Sequence, residues 1–163
     1  MARKDTSPGT PATVALSKAG IAFTPHPYDH DAAAVGYGLE AAAALGLPTT
    51  RVFKTLLADV DGALVVAIVP VAGTLDLKAL AAAVGGKKAK MADPQLAERK
   101  TGYVVGGISP IGQKARLRTV LDASASGFDS VFVSGGRRGF DIELAPADLA
   151  AVTDATLAEI GRE

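Results

Sequence analysis

Residues 51–58 and 63–69 are two runs rich in valine, leucine and isoleucine, separated by Asp59-Val60-Asp61-Gly62, and they constrain the fold more than any other stretch. An Asp-Gly step between strand-like runs is a tight-turn signal, so the two runs read as a β-hairpin. Apolar residues fall on both faces of each run, which calls for a sheet covered on both sides. One residue breaks the pattern. Lys54 sits inside Arg51-Val-Phe-Lys-Thr-Leu-Leu57 with Val52 and Leu56 on its own face and Phe53 and Leu57 on the other. An ammonium drawn partly out of water has its charged form disfavoured, which makes it a candidate proton acceptor, or a directed positive charge for an incoming anion. The alternative for the same heptapeptide is an edge strand whose lysine reaches solvent and blocks edge-to-edge pairing.

At 163 residues the chain has the length of one domain with a real core, and such a domain buries roughly 70% of its unfolded surface. Its 17 basic and 17 acidic residues cancel, which argues against nucleic-acid binding through bulk charge and leaves only local basic patches. Cysteine is absent, so there is no disulfide framework, thiolate metal site or cysteine nucleophile, in keeping with a cytoplasmic protein. The apolar run at 63–69 is soon followed by Pro70 and Gly73, far short of the ~18 residues that span a bilayer. Residues 1–11 read as a disordered tail with no hydrophobic segment of the signal-peptide type, and residues 12–163 as one domain.

Thr10 and Pro11 suit an N-cap and first helical residue for a helix through Lys18, closed by Gly20, with Val14 and Leu16 facing the core. Residues 21–23 can extend as a strand, and Pro25 and Pro27 forbid a helix across residues 26–30. The same prolines remove the geometry through which His26 and His30 would share a metal ion, and no third ligand is evident, so no metal site is expected. Tyr28 remains as a loop residue able to line a pocket. Further helices are expected over residues 39–45, over 75–84 with Thr74 as cap, from Asp93-Pro94 to near Gly102, and from Pro146 onward. In the last of these Leu149 and Val152 face the core and Leu157 and Ile160 continue the pattern. Lys87-Lys88-Ala89-Lys90 is a short basic run, either a solvated face or a place for phosphates to dock. Lys114, Arg116 and Arg118 alternate, which projects them to one side of an extended segment.

Residues 102–112 are dense in glycine. Residues 103–105 suit a strand, after which Gly106, Gly107 and Pro110 force a turn, either an anion-binding nest of backbone N–H groups or a purely structural bend. The block matches neither a P-loop nor a dinucleotide fingerprint, and Gly107-Ile-Ser109-Pro-Ile111 lacks the last glycine of a hydrolase elbow, so Ser109 is not expected to be a nucleophile. Strand-like runs at 130–134 and 140–144 are joined by Gly135-Gly136-Arg137-Arg138-Gly139, a hairpin connection that presents guanidinium groups. In the second run Phe140, Ile142 and Leu144 point one way, and Asp141 and Glu143 the other.

Four pieces, Phe53-Lys54-Thr55-Leu56, residues 102–113, residues 133–139 and Ile142-Glu143-Leu144-Ala145-Pro146, together resemble the YbaK-type cysteinyl-tRNA(Pro) deacylases, relatives of the editing domain inserted in bacterial prolyl-tRNA synthetases. The resemblance takes in His26-Pro-Tyr28-Asp-His30-Asp31 and covers nearly the whole chain after the tail. It implies an α/β (α+β) fold, a single compact domain with a mixed, partly barrel-like β-sheet surrounded by helices, with no metal and no cofactor. It further implies a cytoplasmic translation enzyme, a hydrolase or lyase acting in trans on the 3′ end of mischarged Cys-tRNA(Pro). Cys-tRNA(Cys) would be a further substrate and prolyl-tRNA synthetase a candidate partner.

By motif, the family's essential lysine falls on Lys54, followed by Thr55. Its pocket tyrosine falls on Tyr28, its glycine turn on Gly106 and Gly107, the serine before the double glycine on Ser134, and the acidic residue after the hairpin on Asp141. Arg137 stands where many relatives have lysine. The implied mechanism has the substrate's own thiol attack its carbonyl, which removes the need for a nucleophile in the protein. Cysteine and proline are similar in size and a synthetase pocket separates near-isosteres poorly, so a second hydrolytic sieve has a reason to exist. Two alternatives stay open at this point: a deacylase for Ala-tRNA(Pro) or another misacylated tRNA, and a non-catalytic module that binds aminoacyl-tRNA or a synthetase.

Overall fold

The computed structural model describes residues 9–30 and 37–163. Helix α1 (Pro11–Ala19) is started by Thr10, whose side-chain oxygen accepts from the Thr13 N–H, and is closed by Gly20 at φ 70°. The Thr10 hydroxyl also donates to Gly135 O at 2.6 Å and the residue is buried, so the fold takes in residues 10 and 11 of the expected tail. Residues 1–8 of that tail lie outside the described residues. Leu16 is buried as expected, whereas Val14 faces outward.

Strand β1 (Thr24–Pro27) falls on the proline segment rather than on residues 21–23, and it survives there because it lies at a sheet edge, where a missing N–H is tolerated. Helix α2 (Tyr37–Leu45) starts earlier than the alanine pattern indicated. Strands β2 (Phe53–Val60) and β3 (Ala63–Pro70) form the expected hairpin, paired from Phe53↔Pro70 to Val60↔Ala63. Its turn holds Asp61 at φ 52° and Gly62 at φ 92°, the left-handed pair that an Asp-Gly step favours.

Strand β4 (Thr74–Leu75) takes up the residue expected to cap the next helix, and Asp76 instead caps α3 (Leu77–Ala83) by accepting from Ala79 N–H at 3.0 Å. Then follow β5 (Ala89–Met91), α4 (Pro94–Thr101) between its Asp93 cap and Gly102, β6 (Arg118–Asp122), a short 3-10 turn, β7 (Val131–Arg137) and β8 (Phe140–Leu144). Residues 103–105 are not a strand. Helix α5 (Pro146–Thr153) stops at Asp154, φ 54°, so Leu157 and Ile160 do not extend it: Leu157 belongs to β9 (Thr156–Ala158), and Ile160 is buried just before β10 (Gly161–Arg162).

The strands form a mixed five-stranded sheet in the order β5-β2-β3-β6-β9, a three-stranded sheet β1-β8-β7, and the pair β10-β4. The two larger sheets meet at a parallel bridge between Val52 and Phe132 and do not close, so the expected partly barrel-like sheet is an open pair. Val66 and Ile68 of β3 point into a core shared with β7, β8, α1 and α5, while Val65, Ala67 and Val69 point to the other face beneath Leu80 and Ala81 of α3. Full burial of each of these larger aliphatic side chains is worth about 1.5–3 kcal/mol. A third cluster, Ala41 and Ala42 of α2 with Val52, Val71 and Phe132, fills the joint between the sheets.

Candidate active site

That joint creates the cavity. Along one edge β2 is paired with β3 throughout, but its other edge changes partner: Arg51 O accepts from Phe132 N–H of β7 at 3.2 Å, and β5 pairs only with residues 58–60. Between these two contacts no strand among the described residues is paired with this edge of β2. The gap opens into a cavity of about 370 Å³ that runs beside residues 52–57 and is walled by α2, the β5–α4 junction, the glycine turn and the ends of β7 and β8. Beyond the bridge, Arg51 stacks on Phe132 and meets Glu143, which also binds His26 at 2.9 Å and the Ser130 hydroxyl. This network clamps the start of β2 to the smaller sheet and so fixes the width of the gap.

Lys54 lies on the cavity wall, half-buried, and its Nζ donates to Gly73 O at 2.8 Å. Burial pulls its pKa below the ordinary lysine value. The side chain thus points to a cleft and not to the outer surface of an edge strand. Gly38 lets α2 pack against the neighbouring Val71: a Cβ there would sit 2.3 Å from Val71 Cγ1, so α2 can approach this closely only without a side chain.

Asp141 on β8 also lines the cavity, 5% exposed, and its carboxyl receives no hydrogen bond from a described residue. Burial raises its pKa to about 7, so near neutral pH it is shared between acid and carboxylate. Tyr28 stands beside it, held at its backbone by Gly139, and its phenol is pushed up to about 12 by burial and by the charges of Asp141 and Glu40. Ser134 on β7 is the register partner of Asp141. Its Oγ accepts from Gly136 N–H at 3.2 Å, and no histidine stands ready to activate it, because His26 and His30 are bound to Glu143 and Glu40. Thr55 lines the cavity with a buried hydroxyl that has no partner among the described residues, a group left for a ligand to satisfy.

The glycine turn divides in two. Gly106 reaches the cavity at φ 90°, and a Cβ there would lie 2.8 Å from Arg138 Nε and 2.9 Å from the Tyr37 ring. Arg138 stacks over Tyr37 and donates twice to Val105 O, pinning the turn to α2. Gly107 does not line the cavity. Its N–H is turned inward to Val104 O at 2.8 Å, and a Cβ there would lie 2.8 Å from the Arg137 backbone, so the turn packs this closely only without a side chain. The expected outward nest of N–H groups therefore lacks this member. Ser109 is likewise a turn residue, buried, with its oxygen accepting from Ile111 N–H.

A family model described as the aminoacyl-tRNA editing domain matches residues 36–152. The chain belongs to that family. It is 43% identical over 121 residues to EbsC of Enterococcus faecalis, a candidate Cys-tRNA(Pro)/Cys-tRNA(Cys) deacylase, with 73% of each protein covered. It is 36% identical over 92 residues to the proline–tRNA ligase of Geobacter metallireducens, which covers 56% of this chain and 16% of that much longer protein. Among solved structures it superposes with a TM-score of 0.80 on a protein described as a candidate trans-editing enzyme for prolyl-tRNA synthetase, at 26% identity and covering 94% of this chain and 96% of the other.

Within this editing domain six of the seven residues singled out from sequence, Lys54, Tyr28, Thr55, Gly106, Ser134 and Asp141, share one cavity, and Gly107 stands behind it. The sequence does not single out Gly38 or Tyr37, and it marks Gly73 only as the end of an apolar run and Arg138 only as a guanidinium in a hairpin connection. Gly38 is a glycine inside an alanine-rich helix, which is itself a signal of close approach. The other three are recognisable only once the chain is folded.

Proposed function

We propose that the protein is a cytoplasmic trans-editing deacylase that removes cysteine from mischarged Cys-tRNA(Pro), and from Cys-tRNA(Cys), in company with prolyl-tRNA synthetase. The observation that carries this reading is the convergence of a desolvated ammonium, Lys54, and a carboxyl poised near neutrality, Asp141, on a cavity that lacks a serine–histidine or cysteine–histidine pair. Its size suits an aminoacyl group with part of the terminal nucleoside.

An aminoacyl ester is already activated, so positioning and charge stabilisation are enough to drive its cleavage. Asp141 faces the α-ammonium of the substrate, and ionises as that cation enters. Lys54 faces the carbonyl and ribose oxygens, where negative charge develops. The substrate thiol then forms a bond to its own carbonyl carbon while the ester C–O bond breaks. The thiol proton ends on the departing ribose oxygen, and water opens the resulting thiolactone. Tyr28, Thr55, Ser134 and the Gly106 backbone hold the aminoacyl group in place.

The test is to follow loss of amino acid from Cys-, Ser-, Ala- and Pro-tRNA(Pro) with the protein and with Lys54→Ala. Release of cysteine but not serine, lost in the variant, is expected. Equal rates on cysteine and serine would replace the thiol by an activated water. Preferential release of alanine would make the protein an alanine editor, and no release from any substrate would reduce it to a binding module.

A further inference from the structure

The chain is neutral overall, yet its charge is unevenly placed. Between Lys87 and Arg118 lie eight of the 17 cations and only two of the 17 acids, leaving nine cations against fifteen acids elsewhere. All eight side chains (Lys87, Lys88, Lys90, Arg99, Lys100, Lys114, Arg116 and Arg118) are exposed, and none is in an ion pair with a described residue. Main-chain bonds tie their segments together: Lys114 N–H to Thr101 O and Ala115 N–H to Lys100 O, both 2.8 Å, while Arg118 Nη1 reaches Val84 O at 3.1 Å. The carboxylates nearby are engaged with backbone. Asp61 accepts from Lys87 and Lys88 N–H, Asp59 from Gly62 N–H, Asp93 caps α4, and Glu98 accepts from Val105 N–H.

The same tract supplies Met91, Ala92, Pro94, Ala97, Val105 and Gly106 to the wall of the cavity. Val60, the register partner of Ala89, lies six residues along β2 from Lys54, or about 20 Å at the rise of an antiparallel strand. The cations thus begin a few nucleotides' length from the candidate reaction centre.

Resting on the aminoacyl-tRNA reading above, we propose that this band, from Lys90 through Lys100 and Lys114 to Arg118, is an RNA-docking surface that tracks the phosphates next to the 3′ end inserted in the cavity. No aromatic side chain is interleaved with the exposed cations, so the band grips backbone without reading bases. It supplies affinity, and its hold weakens with salt. An acidic protein partner fits less well, because protein interfaces are anchored by aromatic and apolar groups at their centre, and lysine is depleted there.

The test measures binding of an uncharged tRNA transcript by fluorescence anisotropy across a series of KCl concentrations. It compares the protein, the triple variant Lys100→Ala/Lys114→Ala/Arg116→Ala, and the charge-keeping variant Lys100→Arg/Lys114→Arg/Arg116→Lys. The alanine variant should bind about tenfold or more weakly, with a salt slope lower by about 2 to 3, and the charge-keeping variant should retain both affinity and slope. Thermal melting guards against misfolding, which exposed substitutions rarely cause. Unchanged tRNA affinity and slope in the alanine variant overturns the proposal. So does a variant that loses binding to anionic lipid vesicles while holding RNA normally. The deacylase reading is judged separately: a protein that binds tRNA through the band but releases no amino acid keeps this surface and loses that activity.

Discussion

Replacing Asp141 by asparagine should stabilise the protein, and more so as pH rises. The buried carboxyl holds its proton up to about pH 7, against 3.8 for an ordinary aspartate. The native state therefore binds more protons than the unfolded state across that interval, and stability falls as pH rises through it. At about 1.4 kcal/mol per pH unit, ionisation costs the wild-type fold about 4 kcal/mol by the time the folded carboxyl has titrated. Asparagine keeps the shape and carries no such cost. Between pH 5 and pH 8 the advantage of the variant should grow by about 2 to 3 kcal/mol. Urea unfolding at pH 5, 6, 7 and 8 measures this directly. Asp122 and Glu143 do not confuse the comparison, because their carboxyls are held below the usual range and titrate under the window. Parallel stability curves for the two proteins would refute the argument, since they would mean that Asp141 is ionised throughout and stabilised by a partner.

Gly106→Ala should cost about 1–3 kcal/mol in the same assay, because a Cβ at φ 90° is strained and would strike Arg138 and Tyr37. The deacylation rate, corrected for spontaneous ester hydrolysis, should fall at alkaline pH with a midpoint below the 10.5 of an ordinary lysine, and Lys54→Arg should remove that limb. A rate that climbs through the same region would instead make neutral Lys54 the active form. At Asp122, burial opposes ionisation, but hydrogen bonds from Ser124, Gly161 and Ile160 outweigh it and depress the pKa. Asp122→Asn should therefore destabilise the protein by about 2–4 kcal/mol at neutral pH, with the deficit shrinking below pH 3.8 as the wild-type carboxylate is protonated; an equal deficit at every pH would contradict this.

Local chemistry made much of this fold legible. Thr10-Pro11 and Asp93-Pro94 announce two helices, and Asp61-Gly62 announces the hairpin, because each uses a cap or backbone angle that the next few residues determine. Where two local signals competed, the nearer and stronger cap won, as at Asp76 over Thr74. The end of the chain was not legible. Residues 156–158 are too short to show alternation, and they become a strand only because β6 offers a parallel partner. The site was legible in its residues but not in its shape. Lys54 stood out as a cation among aliphatic neighbours, yet only the change of partner along the edge of β2 shows why that position faces a cleft. Gly107 looked equivalent to Gly106 in sequence, and the two are told apart by which way each N–H turns.

The change of partner along β2 has an evolutionary side. The floor of the cleft is a single strand locked to β3, while its rim is assembled from α2, the β5–α4 junction and the 103–108 turn. Rim segments can exchange residues, lengthen or shorten without disturbing the register that carries Lys54. Divergence among such domains should therefore concentrate in those three segments, with the amino acid recognised changing while the lysine stays in place.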